Sequence, residues 1–391
     1  MLLLTTLASM LFTSYLMRFP LDKLRMPRLL APLLVGFIFQ LLPFTSSLRD
    51  VVMGEAFQLL AQLGITFLLF LIGLQLDAEK LRSLSGDIAA LSILNLAFSS
   101  VLGCLILLVF GYPLLISILV STALATVAET TIAPILDELG VIRTKMANLI
   151  VGSGILDDVA EVTVASSASV VVGATEYTVN PFFLALGFLT LVVLTLAFSR
   201  LVIPFVTRFN KEPNDTAFFL LAISSALMFT AISQRFGLGV LLGAILSGLT
   251  FQKLKKKGSK ESDSFVSLRN ITYGFLGPIF FFGIGLSVNL SSFIQAFQLT
   301  LLLLGANFLG KFSAVLLVGR KARLDHKTMI ALGLGLSAKF SMGIIPIQIF
   351  YSAKVIDQQL FSAFVAVSTI TTMIIPFTLA YIINRWKQTI G

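Results

Sequence analysis

The sequence predicts an all-α polytopic membrane protein with about thirteen transmembrane helices. Hydrophobic residues make up 57% of its 391 residues, charged residues only 12%, and the mean hydropathy is +0.98. A soluble globular protein has charged residues at about a quarter of its positions. This chain has too few charges to cover a soluble surface, so its composition indicates a protein embedded in a lipid bilayer.

Thirteen segments meet the requirement of roughly 17–25 apolar residues for a bilayer crossing. Residues 111–113 and 237–239 are short links that predict hairpins, whereas a longer basic link, 253–269, follows the ninth crossing. The first segment has no basic start and no cleavage site before Arg18, so we interpret it as a spanning helix. The crossings centre near Leu11, Gly36, Leu68, Ala97, Ala123, Glu161, Val193, Ser225, Gly243, Phe280, Ala306, Gly335 and Ile370.

The distribution of Lys and Arg predicts the orientation. When alternate links are assigned to opposite sides, one side carries 23 basic residues and the other carries Arg49, Arg235 and Lys354. Cytoplasmic links are the basic ones. The N-terminus is therefore expected outside the cell and the C-terminus in the cytoplasm. The membrane is expected to be the plasma membrane. The remaining two of the 28 basic residues, Lys311 and Lys339, lie inside apolar crossings.

Three carboxylates interrupt the sixth crossing, at Asp157, Asp158 and Glu161. A charged side chain at the centre of a bilayer-spanning helix costs at least ~2.5–3.5 kcal/mol. Spacings of three and four residues place the three side chains in one sector of the helix. The pattern predicts a cation site. The alternative, solvated acids on a soluble domain, conflicts with the composition.

The fifth crossing holds a further buried acid, Glu129. Pro134 cannot donate to the carbonyl of Thr130, and the hydroxyls of Thr126, Thr130 and Thr131 can replace lost backbone bonds. We therefore predict that this crossing is broken near its middle.

The twelfth crossing, residues 333–343 with Lys339 among them, has the same glycine- and serine-rich texture. Two interrupted crossings at matching positions of two repeats indicate a transport site at the membrane midplane. The spacing from the fifth to the twelfth crossing fits two five-helix repeats.

Four stretches resemble a known family. Its signatures in the third and tenth crossings are similar to LGITFLLFLIGL (63–74) and GFLGPIFFFGIG (274–285). Its double-aspartate helix and the approach to it are similar to LDELG (136–140) followed by ILDD (155–158). The segment that holds its lysine is similar to LGK (309–311). The chain resembles the NapA/Kef type of monovalent cation:proton antiporter, the second family of that group, over nearly its whole length.

The resemblance implies an NhaA-like inverted repeat with two crossed broken helices, assembled as a homodimer. We expect two subdomains, a scaffold (about 1–55 and 181–262) and a core (about 56–180 and 263–391). The implied function is a secondary active antiporter that exchanges protons for Na⁺, or for Li⁺ or K⁺, by alternating access. A carboxylate suits this exchange because it accepts either a proton or a hard cation.

Site residues follow by the same resemblance. Asp158 is the expected main carboxylate for cation and proton, and Asp157 is expected to pair with Lys311. The polar residues of the broken fifth crossing add Thr130 and Thr131 to the expected ion- and proton-binding set. The alternative for Lys311 is that it extends toward the membrane surface.

The chain also departs from the family pattern. The twelfth crossing of NapA-type proteins carries an arginine followed two residues later by a glutamate, whereas here Lys339 is followed by Ser341. Glu129 and Glu161 stand at positions that are usually uncharged. One hypothesis is that Glu129 supplies the partner of Lys339; the alternative is that Glu129 or Glu161 binds an ion.

Two other functions are compatible with parts of the sequence. The runner-up is a Kef-like K⁺ efflux pathway gated by a separate regulatory subunit, and a third hypothesis is a receptor that binds ions without transporting them. His326 is the single histidine and no nucleotide loop or metal-ligand spacing occurs, so we expect no enzyme, no cofactor and no regulatory domain. The net charge of +9 belongs to the membrane-facing links rather than to nucleic-acid binding.

Overall fold

A computed structural model describes residues 2–42, 50–76, 78–172, 181–205, 215–255, 263–287, 296–339, 347–348, 350–351 and 353–390. Within these ranges the regular structure is helical, with no strand. The side chain of Glu161 and parts of the basic links lie outside the described residues.

The described part of the first half of the chain contains eight helices of six or more residues. They are α1 (Leu2–Lys23), α2 (Leu30–Leu41), α3 (Glu55–Gln75), α4 (Ala78–Ser83), α5 (Ser85–Val109), α6 (Leu114–Ala125), α7 (Glu129–Glu138) and α8 (Lys145–Val172).

Eight more helices lie in the residues of the second half that the structure describes, two of them extended by π-helical segments. They are α9 (Pro181–Ala197, continued by Phe198–Val202), α10 (Asp215–Arg235), α11 (Gly239–Lys255), α12 (Asp263–Ile271, continued by Thr272–Leu276), α13 (Gly277–Ser287), α14 (Phe297–Lys321), α15 (His326–Ser337) and α16 (Gln358–Ile390).

The predicted all-α membrane class is confirmed. Each of the thirteen predicted crossing centres lies in one of these helices. Among the described residues, eight helical stretches are long and apolar enough to cross a membrane, and three shorter apolar helices accompany them. The count of thirteen crossings stays a prediction.

Both short links adopt the predicted turns. Gly111 joins α5 to α6 with φ +85°, and Gly237 joins α10 to α11 with φ +74°. These angles lie in the left-handed region, which glycine adopts without steric cost. The two hairpin predictions are therefore confirmed at the residue that makes each turn.

The chain divides into two compact units. The first comprises residues 1–76 and 180–287, and the second comprises 77–179 and 288–391. The predicted scaffold and core subdomains, with boundaries near 55, 180 and 262, are defined by movement and stay a prediction.

Glycines allow close helix packing in the first unit. A Cβ added to Gly36 on α2 would lie 2.3 Å from the carbonyl oxygen of Phe282, and one added to Gly285 on α13 would lie 2.1 Å from that of Leu33. Helices α2 and α13 therefore pack backbone against backbone, as small residues allow in membrane proteins.

The second unit repeats one order of elements. A long helix, a broken crossing and another long helix occur first as α5, α6 with α7, and α8, and again as α14, α15 and α16. A buried apolar cluster that includes Leu107, Val120, Leu303 and Phe364 joins elements of both sets. This repetition supports the predicted inverted repeat.

Two aspartates cap helices of the second unit at their first turns. Asp357 accepts from the amide of Leu360 at 2.9 Å and from the hydroxyl of Tyr112 at 2.8 Å; burial and Asp357 together raise the pKa of Tyr112. Asp325 accepts from the amide of Thr328 at the start of α15. Burial alone would raise the pKa of Asp325, but the hydrogen bonds from Thr328 and its neighbours outweigh burial and lower it.

Candidate functional site

The fifth crossing is broken, as predicted, near its middle. Helix α6 ends at Ala125 and α7 begins at Glu129, and Thr126 between them has an extended backbone (φ −62°, ψ 163°). The predicted cause was wrong, because Pro134 lies inside α7 rather than at the break. Pro134 is the sixth residue of α7, and its missing N–H costs this helix one backbone hydrogen bond, to the carbonyl of Thr130, without ending it.

The second break follows α15. The helix ends at Ser337, and Ala338 is extended (φ −65°, ψ 137°). Residues 340–346, which include Ser341, lie outside the described residues, so the break is described from its N-terminal side. The amide of Ala128 donates to the carbonyl of Ala338 at 2.9 Å. The two broken crossings therefore meet at their breaks, in agreement with the predicted crossover.

Lys311 lies at this meeting point. Its side chain is 0% exposed, and its Nζ is 3.0 Å from the carbonyl oxygen of Ala125, 3.3 Å from that of Thr126 and 2.5 Å from that of Leu336. The last carbonyls of a helix lack partners and carry partial negative charge. One ammonium group thus caps the C-terminal ends of both α6 and α15, and it is enclosed by protein.

Lys339 adds a second cation to the same break. It is 4% exposed, and its Nζ donates to the carbonyl of Thr126, which also accepts from Lys311. The carbonyl of Lys339 itself accepts from the hydroxyl of Thr372 on α16. Hydrogen bonds to charged groups contribute about 1.5–3 kcal/mol each. The two lysines therefore stabilise the non-helical backbone that Pro134 was expected to cause.

The paired aspartates lie in the interior of α8, with Asp157 1% and Asp158 7% exposed. Asp157 accepts from the hydroxyl of Ser92 at 2.6 Å through Oδ1 and from Asn95 Nδ2 at 3.3 Å through Oδ2. Asn95 Nδ2 is also 3.4 Å from the carbonyl of Ala125, one of the acceptors of Lys311. The expected direct pairing of Asp157 with Lys311 stays a prediction.

Glu129 is the first residue of α7 and is 0% exposed. A Cβ added to Gly154 would lie 2.3 Å from its Cγ and 2.6 Å from its Oε2, so its carboxyl group packs directly on α8. Gly154 precedes Asp158 by four residues and shares its helix face. A carboxylate at a helix N-terminus is favoured by the helix dipole. The expected pairing of Glu129 with Lys339 stays a prediction.

The threonines of the fifth crossing differ in role. The Thr126 hydroxyl donates to the carbonyl of Ala123 at 3.0 Å, which replaces a backbone bond as predicted. Thr131 is 1% exposed, and its hydroxyl has no hydrogen-bond partner in the described part of the chain. Thr130 is half-buried. The side chain of Glu161 lies outside the described residues, although its backbone belongs to α8.

The sequence reading missed several uncharged residues of this region. Ser92 and Asn95 on α5 contact Asp157, and Thr372 contacts Lys339. Asn307 on α14 donates from Nδ2 to the carbonyl of Ser337 at 3.3 Å, at the end of α15. A hydroxyl or amide in an apolar crossing is common enough that only its partner in the fold reveals its role.

Comparisons with known proteins bear on the family and the fold of the chain. The family described as "Sodium/hydrogen exchanger, transmembrane" matches residues 7–385. A Na(+)/H(+) antiporter of Enterococcus hirae is 23% identical over 83% of this chain and 84% of its own, and a probable Na(+)/H(+) antiporter 3 of Methanocaldococcus jannaschii is 26% identical over 93% and 92%. The solved sodium proton antiporter MjNhaP1 of Methanocaldococcus jannaschii superposes with a TM-score of 0.69 at 16% identity, covering 99% of this chain and 96% of that one. This likeness confirms the predicted fold.

The position of Lys311 depends on its neighbour Gly310, which yields a first prediction. A Cβ at Gly310 would lie 2.6 Å from the backbone N and Cα of Ser99, so Gly310→Ala must push α14 away from α5. We expect a loss of about 1–3 kcal/mol in the free energy of unfolding and a lower Tm for the detergent-purified protein.

Gly305 on the same helix is the matched control. A Cβ there meets nothing within 4 Å, and Gly305→Ala should keep or raise the Tm because alanine favours a helix by about 1 kcal/mol over glycine. Equal Tm values for the two variants would contradict the close contact between α14 and α5.

Proposed function

The chain belongs to the sodium/hydrogen exchanger family, and from this premise we propose that it is a secondary active antiporter that exchanges Na⁺ for H⁺ by alternating access. One observation carries the proposal. A buried aspartate pair lies beside two broken crossings whose ends are capped by Lys311. A charge buried in this way in a membrane protein marks an ion or proton pathway.

Asp158 is the proposed exchanging group, with Asp157, Thr130 and Thr131 completing the set that binds cation and proton. A carboxylate holds either a proton or a hard cation, so the two compete for it. In alternating access, the site crosses from one side of the membrane to the other with the cation bound and crosses back with the proton bound. Because only one of the two can occupy the carboxylate at a time, their competition couples the two movements. No resident cofactor is needed for that cycle.

Sodium is the proposed substrate rather than the potassium of the Kef-like alternative. The relatives named above are called Na(+)/H(+) antiporters, and the solved protein a sodium proton antiporter. Lithium is expected to substitute for sodium because it is a hard monovalent cation as well.

We also propose a homodimer in the plasma membrane, as the family resemblance implies, in which the core subdomain moves against the scaffold. The mass of the detergent-purified protein tests the dimer. The excess of basic residues on one set of links supports a cytoplasmic C-terminus.

The exchanging carboxylate gives the second prediction. Asp158→Asn keeps the shape of the side chain but removes its charge and its proton, so Na⁺ uptake and counter-movement of protons should both fall to the level of empty liposomes. The measurement is Na⁺ flux and a pH-sensitive dye in proteoliposomes. Asp325→Asn is the control, since asparagine caps a helix as well as aspartate does and Asp325 lies outside the site. Coupled exchange retained in Asp158→Asn would show that another group carries the ion.

The third prediction concerns Lys311→Gln. Without the ammonium, the cation must displace a more tightly held proton from the aspartates, so the pH profile of exchange should shift to more alkaline values. The response to membrane potential, worth about 2.3 kcal/mol per charge at 100 mV, should weaken. Exchange is measured over a pH series with and without an imposed potential. An unchanged profile and an unchanged voltage response would make Lys311 a structural cap, with Glu129 or Glu161 as the coupling partner of Asp158.

The fourth prediction concerns orientation. In a Cys104→Ser background, which removes the single cysteine, Ser259→Cys in the basic link should resist a membrane-impermeant maleimide applied to intact cells. Ala353→Cys, next to Lys354 in a link of the opposite set, should react. The reverse pattern of labelling would invert the proposed topology.

A further inference from the structure

Helix α5 contributes a pair of polar side chains to the aspartates. Ser92 and Asn95 are three residues apart and share a helix face; they are 2% and 0% exposed. The Ser92 hydroxyl is 2.6 Å from Asp157 Oδ1, and Asn95 Nδ2 is 3.3 Å from Asp157 Oδ2. Helix α5 therefore contributes residues to the site, in addition to the broken crossings and α8.

The orientation of the Asn95 amide is fixed by its partners. Its nitrogen is 3.4 Å from the carbonyl oxygen of Ala125 as well as 3.3 Å from the Asp157 carboxylate. A main-chain carbonyl only accepts hydrogen bonds, so the NH₂ group of Asn95 must face it. Oδ1 therefore occupies the other position on the amide carbon.

Asn95 Oδ1 is the unexplained atom of this arrangement. It is buried, and no donor among the described residues bonds to it. A buried acceptor without a hydrogen bond costs roughly 1–3 kcal/mol of stability. Such atoms are therefore rare in native structures, and a functional role such as binding an ion is one reason for them. Covalent geometry holds this oxygen beside the nitrogen that contacts Asp157, and therefore beside the carboxylate. A neutral carbonyl oxygen is a ligand that replaces the hydration shell of an alkali cation.

We propose that Asn95 is a neutral oxygen ligand of the transported alkali cation, with Oδ1 binding the ion beside the Asp157 and Asp158 carboxylates. The proposal rests on the proposed exchange function and adds a residue that discriminates between cations. A proton needs one carboxylate oxygen, whereas a cation needs several oxygens at a distance set by its radius. Loss of Oδ1 therefore weakens cation binding selectively.

The test compares four proteins in proteoliposomes: the parent chain, Asn95→Ala, Ser92→Ala and Asn148→Ala. Asn148 is a matched control, because it is also 0% exposed, also has Oδ1 without a partner in the described residues, and lies on α8 more than two turns before Asp157. Readouts are the KM for Na⁺, the maximal rate, and the ratio of Li⁺, Na⁺ and K⁺ rates.

For Asn95→Ala we expect a KM for Na⁺ raised about tenfold, equivalent to ~1.4 kcal/mol, with a changed cation ratio. Ser92→Ala should alter the pH profile of exchange, because its hydroxyl contacts the carboxylate, but keep the cation ratio. Asn148→Ala should keep both KM and ratio. A parent-like KM and ratio in Asn95→Ala would overturn the proposal, as would the same changes in Ser92→Ala, since Asn95 would then act only through Asp157.

Two further measurements keep the result decisive. If Asn95→Ala does not fold, Asn95→Ser, which substitutes a shorter hydroxyl oxygen, should still shift the cation ratio, and a parent ratio there overturns the proposal. Stabilisation of the detergent-purified chain by NaCl against an equal concentration of choline chloride reports binding without transport. A parent that is stabilised by Na⁺ but does not exchange it would refute the antiporter function, and the loss of that stabilisation in Asn95→Ala would still support the ligand assignment.

Discussion

The rest of the second unit depends on one interaction, the ammonium group of Lys311 against the carbonyl ends of two broken helices. A lysine buried away from water is costly unless its charge and its donors are satisfied. Ala125, Thr126 and Leu336 supply three carbonyl oxygens that a continuous helix would have used internally. The carbonyls freed at the breaks satisfy the buried ammonium group, and the ammonium group satisfies carbonyls that would otherwise lack a hydrogen bond.

The hydrogen bonds that Lys311 and Lys339 make at the break go to main-chain carbonyls. Main-chain carbonyls do not titrate, so these acceptors are the same whatever the protonation state of the nearby carboxylates. Asp157 accepts hydrogen bonds from a hydroxyl and an amide of α5. Glu129 lies at the start of α7, where the helix dipole favours its charge.

Glycines determine how closely the charged helices approach. Gly310 lets α14 lie against the backbone of Ser99 on α5, the helix that also carries Asn95. Gly154 gives the carboxyl group of Glu129 its place on α8, one turn before Asp158. The site residues come from several helices, and glycines at these contacts let the helices approach one another closely.

The sequence by itself determined the all-α membrane class and the segments in which the helices lie, and it singled out the charged residues that are proposed for the site. These follow from local chemistry, because an apolar run of bilayer length and an ionisable residue inside it stand out without knowledge of the fold. It also indicated that the fifth crossing breaks, but it assigned the break to Pro134. Only the tertiary structure placed the break before Glu129, since the donors that stabilise it come from Lys311 and Lys339, more than 180 residues away. The same reason hid Asn95, whose partner Asp157 lies 62 residues along the chain. A neutral amide acquires its role from what the fold brings beside it.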